Sequence, residues 1–233
     1  LRLKAIIFDV DGTLAETEEA HRCAFNRAFA EAGLAWHWST ADYTALLTTT
    51  GGRERIARYR AEIGFAPDAA AVAALHARKN EIYADLLAAG EIAPRPGIIR
   101  LIHESLDRGT TLAIATTTSR ANLDGLLHHV LGPGADLWFP VIVAGEDVAA
   151  KKPDPEVYQR ALASLGLVSN RCIAIEDSQH GLAAARAAGI AALVTPSCFT
   201  AGQDFSEAAL VCNDLDHGAD PIGVARLDSL LAR

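Results

Sequence analysis

The acids, lysines and hydroxyls of this chain fall at spacings suited to phosphoryl chemistry. Asp9 and Asp11 flank Val10 directly after a short apolar run, and Glu176-Asp177 stand together after another. Thr116, Thr117 and Thr118 follow a third run, and Lys151-Lys152-Pro153-Asp154-Pro155 comes between them. Carboxylates gathered at one edge repel one another unless a cation lies among them. An all-oxygen donor set favours a hard divalent ion such as Mg2+. A lysine and a hydroxyl beside that ion make a site for a dianionic phosphoryl group. Each piece alone has an ordinary reading: Asp-Gly-Thr as a turn, Lys-Pro-Asp-Pro as a helix entry, Glu-Asp as a cap. Their joint order carries the functional reading: acid-x-acid, hydroxyl, lysine, acid pair.

The elements that must position these groups are strands buried on both faces. Residues 4–8, 111–115, 141–143, 171–175 and 190–194 are short apolar runs, as expected of a parallel sheet. From Pro94-Arg95-Pro96-Gly97 onward, helical patterns alternate with these runs, and Asp154 is expected to cap a helix with Pro155 in its first turn. Repeated βα units imply an α/β fold, a doubly wound parallel sheet, with the chemistry beyond the carboxyl ends of its strands. Between the first strand and Pro94 the pattern is helical throughout. Residues 16–95 are therefore expected to form an inserted helical cap, and residues 1–15 with 96–233 the α/β core.

Net charge −8 leaves no polybasic footprint, so neither nucleic acid nor an anionic membrane is expected as a partner. Cys23, Cys172, Cys198 and Cys212 form no CxxC pair and read as reduced thiols without a zinc site, as in a cytoplasm. A strand expected from Leu3 leaves no room for a signal peptide; an organellar stroma is the alternative if a transit peptide preceded Leu1. The acidic surface suggests a monomer.

Asp9-Val10-Asp11-Gly12-Thr13-Leu14, Thr116, Lys152-Pro153-Asp154-Pro155 and Glu176-Asp177-Ser178 resemble the four motifs of the haloacid-dehalogenase superfamily of phosphatases. The helical insertion is similar to that superfamily's cap. The segments 14–21, 46–53, 90–93 and 115–119 further resemble the CbbY-type enzymes, which are xylulose-1,5-bisphosphate phosphatases. The resemblance weakens after Pro196. It implies that Asp9 is the nucleophile and Asp11 the general acid and base. It also implies that the Asp9 and Asp177 carboxylates and the Asp11 backbone carbonyl hold Mg2+. Lys152 and Thr116 would neutralise and orient the transferring group, and Glu176 would position Lys152 or a metal-bound water. Lys152 is preferred to Lys151 because it directly precedes the proline of the motif.

The cap adds a separate anomaly. Lys79 falls on the apolar stripe of Val72, Leu75 and Ile82, Arg53 is spaced to share the side of Ile56 and Ala57, and His21 precedes Phe25 by one turn. Each alone reads as a snorkelling stem or a satisfied core histidine. Together, with Gly51-Gly52 offering bare amides at a helix start, they suggest a second anion site, which a sugar bisphosphate would use. Glu16 and Tyr43 are candidates to hydrogen-bond the sugar hydroxyls, and Thr117 and Thr118 to line the substrate site. Two alternatives stay open at this point. One is a β-phosphoglucomutase-type isomerase; the other is a receiver-like phosphoacceptor without turnover, for which the chain is too long and Asp11 superfluous.

Overall fold

In the computed structural model, residues 2–90, 92–216 and 220–231 are described. Among the described residues, six strands form one parallel sheet: β1 (Ala5–Phe8), β2 (Thr111–Ala115), β3 (Val141–Val143), β4 (Cys172–Glu176), β5 (Ala191–Val194) and β6 (Leu210–Val211), in the order β3-β2-β1-β4-β5-β6. The order reverses beside β1, whose neighbours are β2 and β4, and ligands of such sheets bind beyond the strand ends at that point.

Small and large residues alternate along the central strands. Ala5, Ile7, Ala113, Ala115, Cys172 and Ala174 lie on one face, and α7 (Glu156–Leu165) and α8 (Gln179–Ala187) pack there through Val157, Tyr158, Ala161, Leu182, Ala184 and Ala185. Ile6, Phe8, Leu112, Ile114, Ile173 and Ile175 alternate with them and are equally buried. Helix α5 (Ile98–Asp107) lies against β2, with Ile98, Leu101 and Ile102 inward. Small side chains on one face let the helices approach closely, and burial on both faces is why the runs show no polar alternation.

The chain divides into two compact units, one of Leu1–Glu16 with Ile92–Arg233 and the other of Thr17–Glu91. The return crossing falls before the Pro-Gly turn, because Pro94 pairs with Ala15 and the Arg95 amide donates to the Leu14 carbonyl. The second unit holds α1 (Glu18–Glu31), α2 (Thr40–Leu46), α3 (Gly52–Glu62) and α4 (Ala69–Ala88). Its core packs Phe25, Phe29, Trp38 and Tyr43 in tilted and edge-to-face contacts, with Ile56, Ile82 and Tyr83 buried beside them. No helix among the described residues is long and apolar enough to cross a membrane.

Helix α7 begins one residue later than the sequence suggests. Pro155 is its N-cap, and Asp154 instead accepts the Glu156 amide at 2.9 Å. Beyond Ser197, where the sequence shows no pattern, lie β6 and α9 (Val224–Leu230), the latter buried through Val224, Leu227 and Leu230. α6 (Arg120–Leu126) follows β2 and is capped by Ser119, which accepts the Asn122 amide.

Candidate active site

Asp9 leaves β1 while still in the sheet: its amide donates to the Ile175 carbonyl at 3.0 Å, so its side chain emerges where β4 ends. The turn that follows is closed by Gly12 N–H to the Ala15 carbonyl and Thr13 N–H to the Val10 carbonyl. Gly12 has φ +80°, and a Cβ there would lie 2.7 Å from the Asp177 carboxylate carbon, so glycine is needed both for the turn and for the approach to Asp177. Asp11 lies half-buried in this turn. Thr116 is buried at the end of β2, its amide donating to the Val143 carbonyl and its Oγ1 accepting the Thr118 amide at 3.2 Å. Thr117 and Thr118 are half-buried in the loop that Gly145 closes, donating its amide to the Thr118 carbonyl at 2.8 Å.

Of the two adjacent lysines, Lys152 enters the site. Its ammonium is 2.7 Å from Asp9 Oδ1 and 2.7 Å from Glu176 Oε1, and all three side chains are buried. Tyr158 of α7 donates its hydroxyl to the same Glu176 oxygen, and the ammonium lies 5.2 Å from the Tyr158 ring centroid. Burial pushes the Asp9 carboxyl up to about 7; Lys152 opposes the shift and Glu176 adds to it. Burial works to lower the Lys152 pKa, but the charges of Asp9 and Glu176 outweigh it and hold it above the ordinary lysine range. Burial, then the neighbouring charge of Glu176, raises Tyr158 well above a free phenol, so it stays a neutral donor.

Asp9, Glu176 and Asp177 bring carboxylate oxygens within 4.8 Å of one another. Three carboxyl groups stand against one ammonium, and Glu176 Oε2 is buried with no hydrogen-bond partner among the described residues. An oxygen-only donor set, three carboxyl groups with one ammonium among them and an orphaned carboxylate oxygen fit a hard divalent cation. Glu176 thus belongs to the acid cluster as well as holding Lys152, a double part that its place in the sequence does not show.

Space for that carboxylate comes from Gly181 in the first turn of α8, where a Cβ would overlap it. In a helix Gly→Ala ordinarily stabilises by about 1 kcal/mol. Here Gly181→Ala is expected to destabilise by about 1–3 kcal/mol through overpacking. Denaturant unfolding checks this; a stabilised variant contradicts the packing.

The cap places its cations differently from the sequence reading. Lys79 is buried on α4 with its ammonium 2.6 Å from His21 Nδ1 and 5.0 and 4.8 Å from the Phe25 and Tyr83 ring centroids. His21 is buried and stacks on Tyr83 at 3.9 Å. Gly51 has φ +93° and leads into α3, and a Cβ at Gly52 would meet His76 Nε2 at 2.6 Å. Arg53 is a correction: it is exposed, as is Ala57, and the buried cation of α3 is Arg55. With Ile56 as the only strongly apolar residue near the start of α3, spacing alone did not fix the inner face. Tyr43 is the second correction. It is fully buried; its hydroxyl donates to Glu18 at 2.7 Å and accepts from Arg55 at 2.8 Å, which assigns it to the interior of the cap. Glu16 belongs to the other unit, half-buried, where it accepts from the Cys198 thiol at 3.5 Å.

A family model described as haloacid dehalogenase-like hydrolase matches residues 3–189. Protein CbbY of Rhodobacter capsulatus is 51% identical over 219 residues, covering 94% of this chain and 96% of that protein. The crystal structure of CbbY from Rhodobacter sphaeroides in complex with phosphate superposes with a TM-score of 0.92 at 45% identity, covering 97% of this chain and 99% of that one. A mutant of the same protein in complex with xylulose-(1,5)bisphosphate matches equally well. With a family model spanning most of the chain and a relative identical at half of its aligned positions, the chain belongs to the haloacid dehalogenase-like hydrolases, as a phosphatase of the CbbY type.

Proposed function

We propose that the chain hydrolyses a phosphorylated sugar through an aspartyl-phosphate on Asp9, with xylulose-1,5-bisphosphate as substrate and Mg2+ as cofactor. The observation that carries this reading is the Lys152 ammonium shared between Asp9 and Glu176 in a buried acid cluster at the strand-order reversal.

An Asp9 carboxylate oxygen attacks phosphorus, and the bond from phosphorus to the sugar oxygen breaks. Asp11 gives its proton to that departing oxygen. It then takes a proton from a water that attacks the same phosphorus, releasing inorganic phosphate and restoring the Asp9 carboxylate. Lys152 and Thr116 face the non-bridging oxygens and offset their charge. The Asp9 and Asp177 carboxylates and the Asp11 carbonyl, with Glu176 beside them, would hold Mg2+, which when bound would supply positive charge that eases the approach of one anion to another.

The cap contributes recognition of a second phosphate. The support for this is a buried ammonium packed on a histidine and two aromatic rings, one of which, Phe25, also neighbours Gly52 at the start of α3. The bisphosphate that a CbbY relative binds supplies such a group.

Lys79→Met keeps the packing and removes the charge. It is expected to raise KM for a pentulose bisphosphate by roughly 10- to 100-fold, the worth of a charge-assisted hydrogen bond of about 1.5–3 kcal/mol. The kcat/KM for a generic aryl phosphate should stay within about threefold. Equal losses on both substrates contradict the second-phosphate role. With a hexose 1-phosphate the expected product is inorganic phosphate, and a hexose 6-phosphate would assign a mutase instead.

A further inference from the structure

We propose that Thr200, braced by Ser197, is a positioning residue for the cation-binding carboxylate of Asp177, which makes the loop after β5 a fifth element of the site; the inference rests on the cation site proposed above. Thr200 Oγ1 lies 2.7 Å from the Asp177 backbone carbonyl and 3.4 Å from Asp177 Oδ2. A hydroxyl carries one proton and two lone pairs. The Ser197 amide donates to Thr200 Oγ1 at 2.8 Å, and the shortest bond open to the Thr200 proton is the Asp177 backbone carbonyl at 2.7 Å, so the hydroxyl fixes the backbone from which the carboxylate projects; Ser197 Oγ lies 3.0 Å from the same hydroxyl. The Thr200 amide returns to the Ser197 carbonyl at 3.1 Å and closes the turn. Both side chains are buried, so water does not compete for these bonds.

The loop is tied down on both sides of Asp177. Arg95 donates to the carbonyls of Thr195, Pro196 and Asn213 and to that of Gly12, so one guanidinium joins this loop to the turn that carries Asp11. The Gln203 side chain accepts the amide of Gln179, the first residue of α8. At Gly12 a Cβ would meet the Asp177 carboxylate and lie 3.2 Å from Ser197 Cβ. The Asp177 carboxylate thus lies close against Gly12 on one side, with Thr200 Oγ1 3.4 Å from its Oδ2. Groups behind a metal ligand orient it, and removing one typically costs about 10- to 100-fold in metal affinity.

The test is a titration of the full chain with Mn2+, read by electron paramagnetic resonance in the absence of substrate. Thr200→Val keeps the shape and removes the hydroxyl. Its Mn2+ Kd is expected to rise about tenfold, with Thr200→Ser back within about threefold of the parent. Asp177→Asn serves as the reference. If Asp177→Asn weakens Mn2+ binding and Thr200→Val does not, the positioning role is overturned while the cation site stands. If Asp177→Asn has no effect, the cation site itself fails. A purely structural Thr200 would lower the melting temperature and leave the Kd of the folded protein unchanged. Should Thr200→Val not fold, Ser197→Ala carries the test: a Kd about threefold higher supports the role, and an unchanged Kd overturns it.

Discussion

Asp9→Asn is expected to release phosphate at least about 10^4-fold more slowly than the parent, at saturating substrate and cation. Loss of a nucleophile removes the covalent route altogether, and the remaining binding and electrostatic groups sustain only a small residual rate. Asparagine keeps the outline of aspartate and still offers Lys152 an oxygen. The charge balance also survives, because Glu176 remains 2.7 Å from the ammonium after Asp9 is neutralised. Melting temperature should therefore move little while turnover collapses. A variant that turns over within tenfold of the parent would remove Asp9 from the mechanism.

The second large effect is expected at Lys152. Lys152→Met keeps the length of the side chain and its place over the Tyr158 ring but leaves Asp9 and Glu176 buried without a counter-charge. Breaking a buried ion pair from one side costs about 3–5 kcal/mol, because the charge left behind is uncompensated. Denaturant unfolding without divalent cation should show a loss of that order. Turnover should fall by roughly 10^2- to 10^3-fold, the cost of losing one charge that faces the transferring group. Unchanged stability would mean that the two carboxylates do not depend on this lysine, and retained turnover would exclude it from the site.

The two variants separate chemistry from architecture. Lys152 stands between Asp9 on one side and Glu176, bonded to Tyr158, on the other. Neutralising Asp9 should spare the fold; neutralising Lys152 should not.

Much of the core is legible in the sequence for a simple physical reason. A strand buried on both faces has few polar residues, and the first polar residues after it mark its end. Asp9, Thr116 and Asp177 are all such residues, so a run of apolar side chains locates the sheet and the chemistry together. The preference for Lys152 over Lys151 agrees with where the ammonium lies.

Other features depend on tertiary contact and leave little trace in the chain. Thr200 and Ser197 form a four-residue turn without hydrophobic period, and only folding brings them to Asp177. β6 is two residues long, too short for any periodicity. Tyr158 reads as one more apolar residue of α7, and its hydroxyl gains meaning only beside Glu176. Helix α2 did carry a local signal, the Ser39 and Asp42 capping box, which passes unread among polar neighbours. In α3, Arg53 and Arg55 are two positions apart and face opposite sides of the helix, and a single strongly apolar residue, Ile56, does not say which side is inward.

The central claim is that phosphate passes through Asp9. Rapid quenching of the parent with 32P-labelled sugar bisphosphate, followed by proteolysis and mass mapping, tests it directly. The account predicts a transient, hydroxylamine-sensitive label on the peptide containing Asp9, formed and lost at rates no slower than turnover and missing from Asp9→Asn. Turnover with no labelled peptide at any time point, or a label on another residue, would contradict it.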